Sequence, residues 1–203
     1  MKSALRWLAC CGIAAGSLLL SGCATSYVLD NSVQSFSSLA AMPARPTYRF
    51  ERLPSQQDPG HAALESMADA ALHKAGLRRD DSNPTYSVQV SARIQAVLSP
   101  WADPWDTWGW GGLGWRHHRR FGFGLGYGSR LSSMESPWYH REVSVIVREL
   151  ATSRVVFESR AANDGPWSSN AAVFPPMFDA AMQGFPNPPA GPRQVNITVA
   201  PST

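Results

Sequence analysis

The side chains able to do chemistry in this 203-residue chain are few, and their spacing excludes more than it offers. Histidines stand at His61, His73, His117, His118 and His140, and cysteines at Cys10, Cys11 and Cys23. A hydrolase needs a nucleophile beside a base, yet the sequence holds no G-x-S-x-G, H-E-x-x-H or C-x-x-C pattern. His61 and His73 fall on a predicted helix, both expected on its solvent side, and His140 is expected to begin a strand. His117 and His118 are adjacent, so an extended chain points them to opposite sides, and no nearby Cys or spaced carboxylate completes a metal shell. Asp80-Asp81 and Asp103/Asp106 read as loop carboxylates, solvated or capping. Gly109-Trp110-Gly111-Gly112-Leu113-Gly114 fits G-x-G-x-x-G to the letter, but no apolar strand precedes it and no helix pattern follows, which argues against a nucleotide site. The expectation is a chain that is not an enzyme, with no catalytic residues, no metal and no cofactor.

Cys23 is the exception. Lys2 and Arg6 form a short positive start, and Leu8 to Leu20 is apolar or small throughout, the length of a signal-peptide core and too short to span a bilayer comfortably. Leu20-Ser21-Gly22-Cys23 closes this segment and resembles the bacterial lipobox, in which the cysteine sulfur receives a diacylglyceryl group before cleavage on its N-terminal side. Residues 1–22 are then a lipoprotein signal peptide and Cys23 the lipidation site. The first residue after it is Ala24 rather than Asp, which by resemblance to the sorting rules of enteric bacteria implies the outer membrane, with the domain facing the periplasm. Cys10 and Cys11 leave with the leader, so the mature chain carries one cysteine and cannot form an internal disulfide. A mature chain of about 180 residues is long enough to rely on an apolar core instead. Losing Lys2 and Arg6 lowers the formal charge from +3 to +1, which leaves little reason to expect a nucleic-acid partner.

The elements that must position anything further are legible in the hydrophobic pattern. Residues 23–46 are expected to be a lipidated segment with a short strand at Tyr27–Leu29 and a linker over Ser35–Ala44. Thr47–Leu53 alternates with Tyr48, Phe50 and Arg52 on one face and predicts a strand. His61–Ala75 places Leu64, Met67, Ala68, Ala71, Leu72 and Ala75 on one helical face, with Gly76 at the C-terminal cap position and Leu77 packing back. Tyr86–Leu98 alternates as a half-buried strand. Val143, Val145 and Val147 alternate in a second, which turns at Ala151–Arg154 into a third over Arg154–Ala162, giving a hairpin. A helix is expected from Pro175 or Pro176, burying Phe178, Ala181, Met182 and Phe185, and Val195, Ile197 and Val199 suggest a last strand. This order predicts one α+β domain over residues 47–200: a single mixed or antiparallel sheet with two helices packed on one face.

An insert over 101–140 differs in kind. It holds Trp101, Trp105, Trp108, Trp110 and Trp115, the run Arg116-His117-His118-Arg119-Arg120, and glycines recurring from Gly109 to Gly128. Three readings fit: a flexible connection between strands, a contact surface for an envelope protein or anionic lipid headgroups made of the five tryptophans with Arg116, Arg119 and Arg120, or a glycan-strand contact.

The lipobox, the Thr47-Tyr48-Arg49-Phe50 strand, the helix ending Lys74-Ala75-Gly76-Leu77, the Trp/Gly-rich insert, the Val-rich hairpin and the late helix running into Phe185-Pro186 resemble, in that order, the domain-of-unknown-function 4136 family of bacterial lipoproteins. The resemblance covers nearly all of the mature chain. Family members often carry a Trp-Arg-Gly-like sequence on the second hairpin strand, where this chain has Phe157-Glu158-Ser159-Arg160, and the Arg193–Ala200 strand resembles an added tail. The family implies an envelope location and an α+β fold, with no assigned activity. The expected role is a membrane-anchored lipoprotein that binds or scaffolds a partner; the rival is a hydrolase of cell-wall or lipid substrates.

Overall fold

A computed structural model of the chain describes residues 26–97, 99–101, 138–166 and 169–199. Seven strands form one mixed sheet: β1 (Tyr27–Ser37), β2 (Thr47–Phe50), β3 (Arg78–Arg79), β4 (Tyr86–Val97), β5 (Trp138–Glu149), β6 (Val155–Gly165) and β7 (Arg193–Val199), in the order β3-β2-β4-β5-β6-β1-β7. Two helices, α1 (Pro59–Lys74) and α2 (Asn170–Met182), accompany it. The expected α+β class therefore holds. By compactness the chain divides into two units, 29–197 and a small one made of 1–28 with 198–203. The architecture below is that of the larger unit; Tyr27, Val28, Thr198 and Val199 belong to the smaller.

The sheet follows from β-branched alternation. Val88, Val90, Val143, Val145 and Val147 are buried on the face that meets the helices, with Phe157 and Ala161 of β6 beside them. β4 and β5 pair antiparallel over their whole length, from Tyr86 opposite Glu149 to Val97 opposite Trp138. β5 and β6 form the expected hairpin, with an irregularity at Val147/Arg148 and Ser153 in the left-handed region at φ 57° in the turn. β2 and β4 are parallel, and α1 crosses between them. Since β4 and β6 are each antiparallel to β5, they run the same way, and α2 follows β6 as α1 follows β2.

Helix α1 opens as its sequence dictates: Asp58 is the N-cap, accepting from the His61 amide at 3.1 Å, and Pro59 takes the first turn, where its missing N–H costs nothing. Its end is a Schellman cap. The Leu77 amide donates to the Leu72 carbonyl and the Gly76 amide to that of His73, each at 3.0 Å, while Gly76 sits at φ +96° and Leu77 is buried.

Three expectations at the level of elements are revised. The strand at Tyr27 runs eleven residues to Ser37, and β1 pairs with β6 inside the sheet, so part of the expected linker is an interior strand. Its buried side chains, Leu29, Asn31, Val33 and Ser35, alternate as a strand requires, but two are polar, which hid the period. Helix α2 starts at Asn170, and Pro175 and Pro176 lie inside it. The carbonyls these prolines leave without an N–H belong to Ala171 and Ala172, which are exposed and open to water. Finally, β5 takes in Trp138–His140, the last residues expected to belong to the insert.

Candidate functional site

The two helices start at the same end of the sheet. A cavity of about 340 Å³ is lined by residues from the first turns of both, including His61, Leu64, Met67, Asn170 and Phe174, together with Ala92 of β4. A second of about 420 Å³ is lined by residues from both C-terminal ends, among them Ala75 and Met182, with Lys74 and Asp179 bridging the helices at 2.6 Å. The helices are therefore parallel neighbours. The first cavity lies where helix N-termini meet strand ends, the position at which crossover folds commonly seat ligands.

The residue beside that cavity corrects an expectation. His61 is buried rather than on the solvent side, because the inward stripe of α1 runs His61, Glu65, Ala68, Ala71, Leu72. A stripe traced through apolar residues misses its first turns, where the inward positions are ionisable. Glu65 is almost fully buried and is held by Arg52 through Nε and Nη2, each at 2.6 Å. Those hydrogen bonds push the Arg52 guanidinium further above its ordinary value. His61 Nε2 lies 3.6 Å from Glu65 Oε1, beyond a good hydrogen bond, and is a buried nitrogen without a partner. Both Glu65 oxygens are already occupied by Arg52, so the cluster fixes the start of α1 against the loop after β2. His73, by contrast, is exposed as expected.

A second buried cluster crosses the sheet. Arg141 of β5 is fully buried, opposite Asn163 of β6 on one side and Ile94 of β4 on the other. Its guanidinium lies 5.0 Å from the Tyr139 ring centroid, and Asn163 Nδ2 donates to the Asp30 carbonyl at 2.8 Å. The signal was available: the buried alternation of Val147, Val145 and Val143, carried back two residues, lands on Arg141. On the opposite face of the sheet His140 Nδ1 pairs with Asp164 Oδ1 at 2.7 Å. Of the loop carboxylates, Asp80 caps as expected, Oδ1 accepting from the Ser82 and Asn83 amides, and Asp81 pairs with Arg79, while Asp103 and Asp106 lie outside the described residues. Among the described residues, no group of three or more His, Cys, Asp or Glu could hold a metal ion.

Of the residues singled out in sequence, Trp101 is described and is 84% exposed, its amide donating to Ser99 Oγ at 3.2 Å. Leu20, Ser21, Gly22, Cys23, Trp105, Trp108, Trp110, Trp115, Arg116, Arg119 and Arg120 lie outside the described residues. The structure does fix where the insert joins. It leaves β4 after Val97 and enters β5 at Trp138, and these two residues are direct partners in the ladder. Ile94 and Val97, near that junction, are 40% and 41% exposed. No described helix is long and apolar enough to cross a membrane.

Comparison with known proteins gives a family match and distant structural likenesses. The family model described as "Domain of unknown function (DUF4136)" matches residues 32–187. No curated protein matches the chain. Among solved structures, a PelC dodecamer from Paraburkholderia phytofirmans is 12% identical with a TM-score of 0.44, covering 75% of this chain and 94% of that one. A PDZ domain protein from Parabacteroides distasonis is 16% identical with a TM-score of 0.46; the match covers 87% of this chain but only 39% of that chain. Likenesses at this level carry no conclusion about function.

Proposed function

Because the chain belongs to the DUF4136 family, whose description assigns no activity, we propose its role from its own residues: a non-enzymatic envelope lipoprotein, anchored by lipid on Cys23, that binds or scaffolds a partner through its tryptophan-rich insert. The observation that carries this reading is the clustering of five tryptophans and the Arg116–Arg120 run within one connection between two sheet strands. Tryptophan rings bring large area at little entropic cost, and neighbouring arginines suit anionic groups, the pairing used at protein hot spots and at membrane interfaces. The outer membrane, the periplasm-facing side and acylation of Cys23 belong to the same reading and rest on the Leu20-Ser21-Gly22-Cys23 sequence. No cofactor or nucleic acid enters it.

Deleting Trp101–Gly128 tests the contact. The shortened protein is expected to stay on the membrane but to lose crosslinked partners in cells and part of its liposome affinity. Unchanged profiles would sink the contact role. Hydrolysis of a cell-wall or lipid substrate that disappears in His61→Ala would replace scaffolding with the rival enzyme reading.

A further inference from the structure

We propose that the end of the sheet bearing Ile94, Val97 and Trp101 is the face that rests on the lipid bilayer; this deepens the reading above and depends on Cys23 being the anchor. The argument is one of chain geometry. The Asp30 carbonyl of β1 accepts from Asn163 of β6, Asn163 stands opposite Arg141 of β5, and Arg141 opposite Ile94 of β4. These four residues make one row across the sheet, close to the end at which β4 gives way to the insert. Strand β1 is antiparallel to β6, so the chain enters the sheet at this same end.

The tether is short. Asp30 lies seven positions after Cys23, a reach of at most about 25 Å even when fully extended. The opposite end of the sheet, the Ala151–Arg154 turn, lies ten residues further along β5 from Arg141, about 30 Å away. An anchor on Cys23 therefore holds the insert-bearing end near the membrane and leaves the Ala151–Arg154 turn far from it.

The chemistry of the two ends agrees. Ile94, Val97 and Trp101 are large apolar side chains left open to solvent at the near end, with Arg93 exposed beside them. A tryptophan with aliphatic neighbours and a cation suits the boundary between headgroups and acyl chains. At the far turn Thr152, Ser153 and Arg154 are exposed, with Val155 43% open beside them, and among the described residues no tryptophan stands there. A lipid surface is favoured over a protein partner here because the covalent anchor already brings this end to lipid, so each apolar contact adds to a binding event that is intramolecular.

The test uses the full-length protein, processed and lipidated, in vesicles of phosphatidylethanolamine and phosphatidylglycerol containing a doxyl-labelled phospholipid. Lipidation consumes the Cys23 thiol, so Val97→Cys or Ala151→Cys gives a unique labelling position for an environment-sensitive fluorophore. The label at position 97 is expected to be quenched several-fold more strongly than the label at 151. Equal quenching, or stronger quenching at 151, overturns the orientation. A label at 97 that escapes lipid quenching but crosslinks to a protein in cells overturns it in favour of a protein contact. Pelleting with the vesicles separates the two levels. If protein with intact Cys23 fails to pellet, the anchor reading falls and takes the orientation with it; if it pellets without a quenching difference, only the orientation falls.

Discussion

Arg52 clamps Glu65 with two hydrogen bonds of 2.6 Å, so a carboxylate buried on the inward face of α1 is matched by a cation from the loop that follows β2. Burying a carboxylate is tolerable only when its oxygens are satisfied, and here one side chain does most of that. Arg52→Met is therefore expected to lower the thermal midpoint well beyond Arg79→Met, which loses an exposed ion pair with Asp81 and a ring contact of 5.2 Å with Phe50, together about 1 kcal/mol or about 2–4 °C. Equal shifts in a thermal melt would mean that the buried clamp is no stronger than a surface pair.

Gly76 offers a backbone test. Its φ of +96° lies in the left-handed region, and an added Cβ would come within 3.0 Å of Met42 Cε. Gly76→Ala should cost about 1–2 kcal/mol in chemical denaturation. The neighbouring Ala75→Gly, at an ordinary helical angle, should cost no more than about 1 kcal/mol. A neutral Gly76→Ala would show that the Schellman cap tolerates a side chain.

Tyr48 predicts a response to alkali. Burial first, then its hydrogen bond to the Asp69 carboxylate, raises the phenol well above its ordinary 10.0, and burial also raises Tyr86. A group whose folded pKa exceeds its unfolded value gives full stability below the unfolded value and loses it as pH rises beyond. Denaturant midpoints should therefore fall steadily above about pH 10. Tyr48→Phe should be less stable at neutral pH and show a shallower alkaline decline; an identical slope would rule Tyr48 out as the source.

Ser159 ties the hairpin to α2: its hydroxyl lies 2.6 Å from the Ala181 carbonyl and 2.8 Å from Ser35 Oγ, with all of these residues buried. Ser159→Ala takes this partner from the Ala181 carbonyl and from Ser35, which keeps only Arg193 at 3.2 Å, and should cost about 1–3 kcal/mol. Ser35→Ala spares the bond to α2 and loses, besides Ser159, a longer bond of 3.2 Å from Arg193, which keeps its bond to the Gln183 carbonyl, so it should cost less. The reverse order, measured by urea unfolding, would mean that the bond to α2 contributes little.

Legibility followed side-chain chemistry. Where inward positions are apolar, as at Val143, Val145 and Val147, the period of two could be read directly; where Gly76 ends α1, the cap could be placed to the residue. Where inward positions are polar, the same period was present but invisible. Asn31 and Ser35 concealed the continuation of β1 beyond Leu29, His61 and Glu65 concealed which face of the first turns of α1 points inward, and Arg141 did not show as a buried position of β5. The buried polar residues were hard to find because their partners come from strands and loops distant in sequence, such as Asp30 for Asn163 or Arg52 for Glu65. Pro175 and Pro176 misplaced the start of α2 because proline marks a first turn by propensity, while packing of Val173 and Phe174 carries the helix further back.

The pairing of Val97 with Trp138 has an evolutionary consequence. The segment between them leaves and returns at one rung of the ladder, so its length and composition can change without altering register anywhere else in the sheet. Loop-closure entropy grows only logarithmically with length, so lengthening or shortening such a segment costs little. Selection can then treat residues 98–137 as an exchangeable cassette, diversifying its aromatic and basic content from one lineage to the next while the sheet is inherited unchanged.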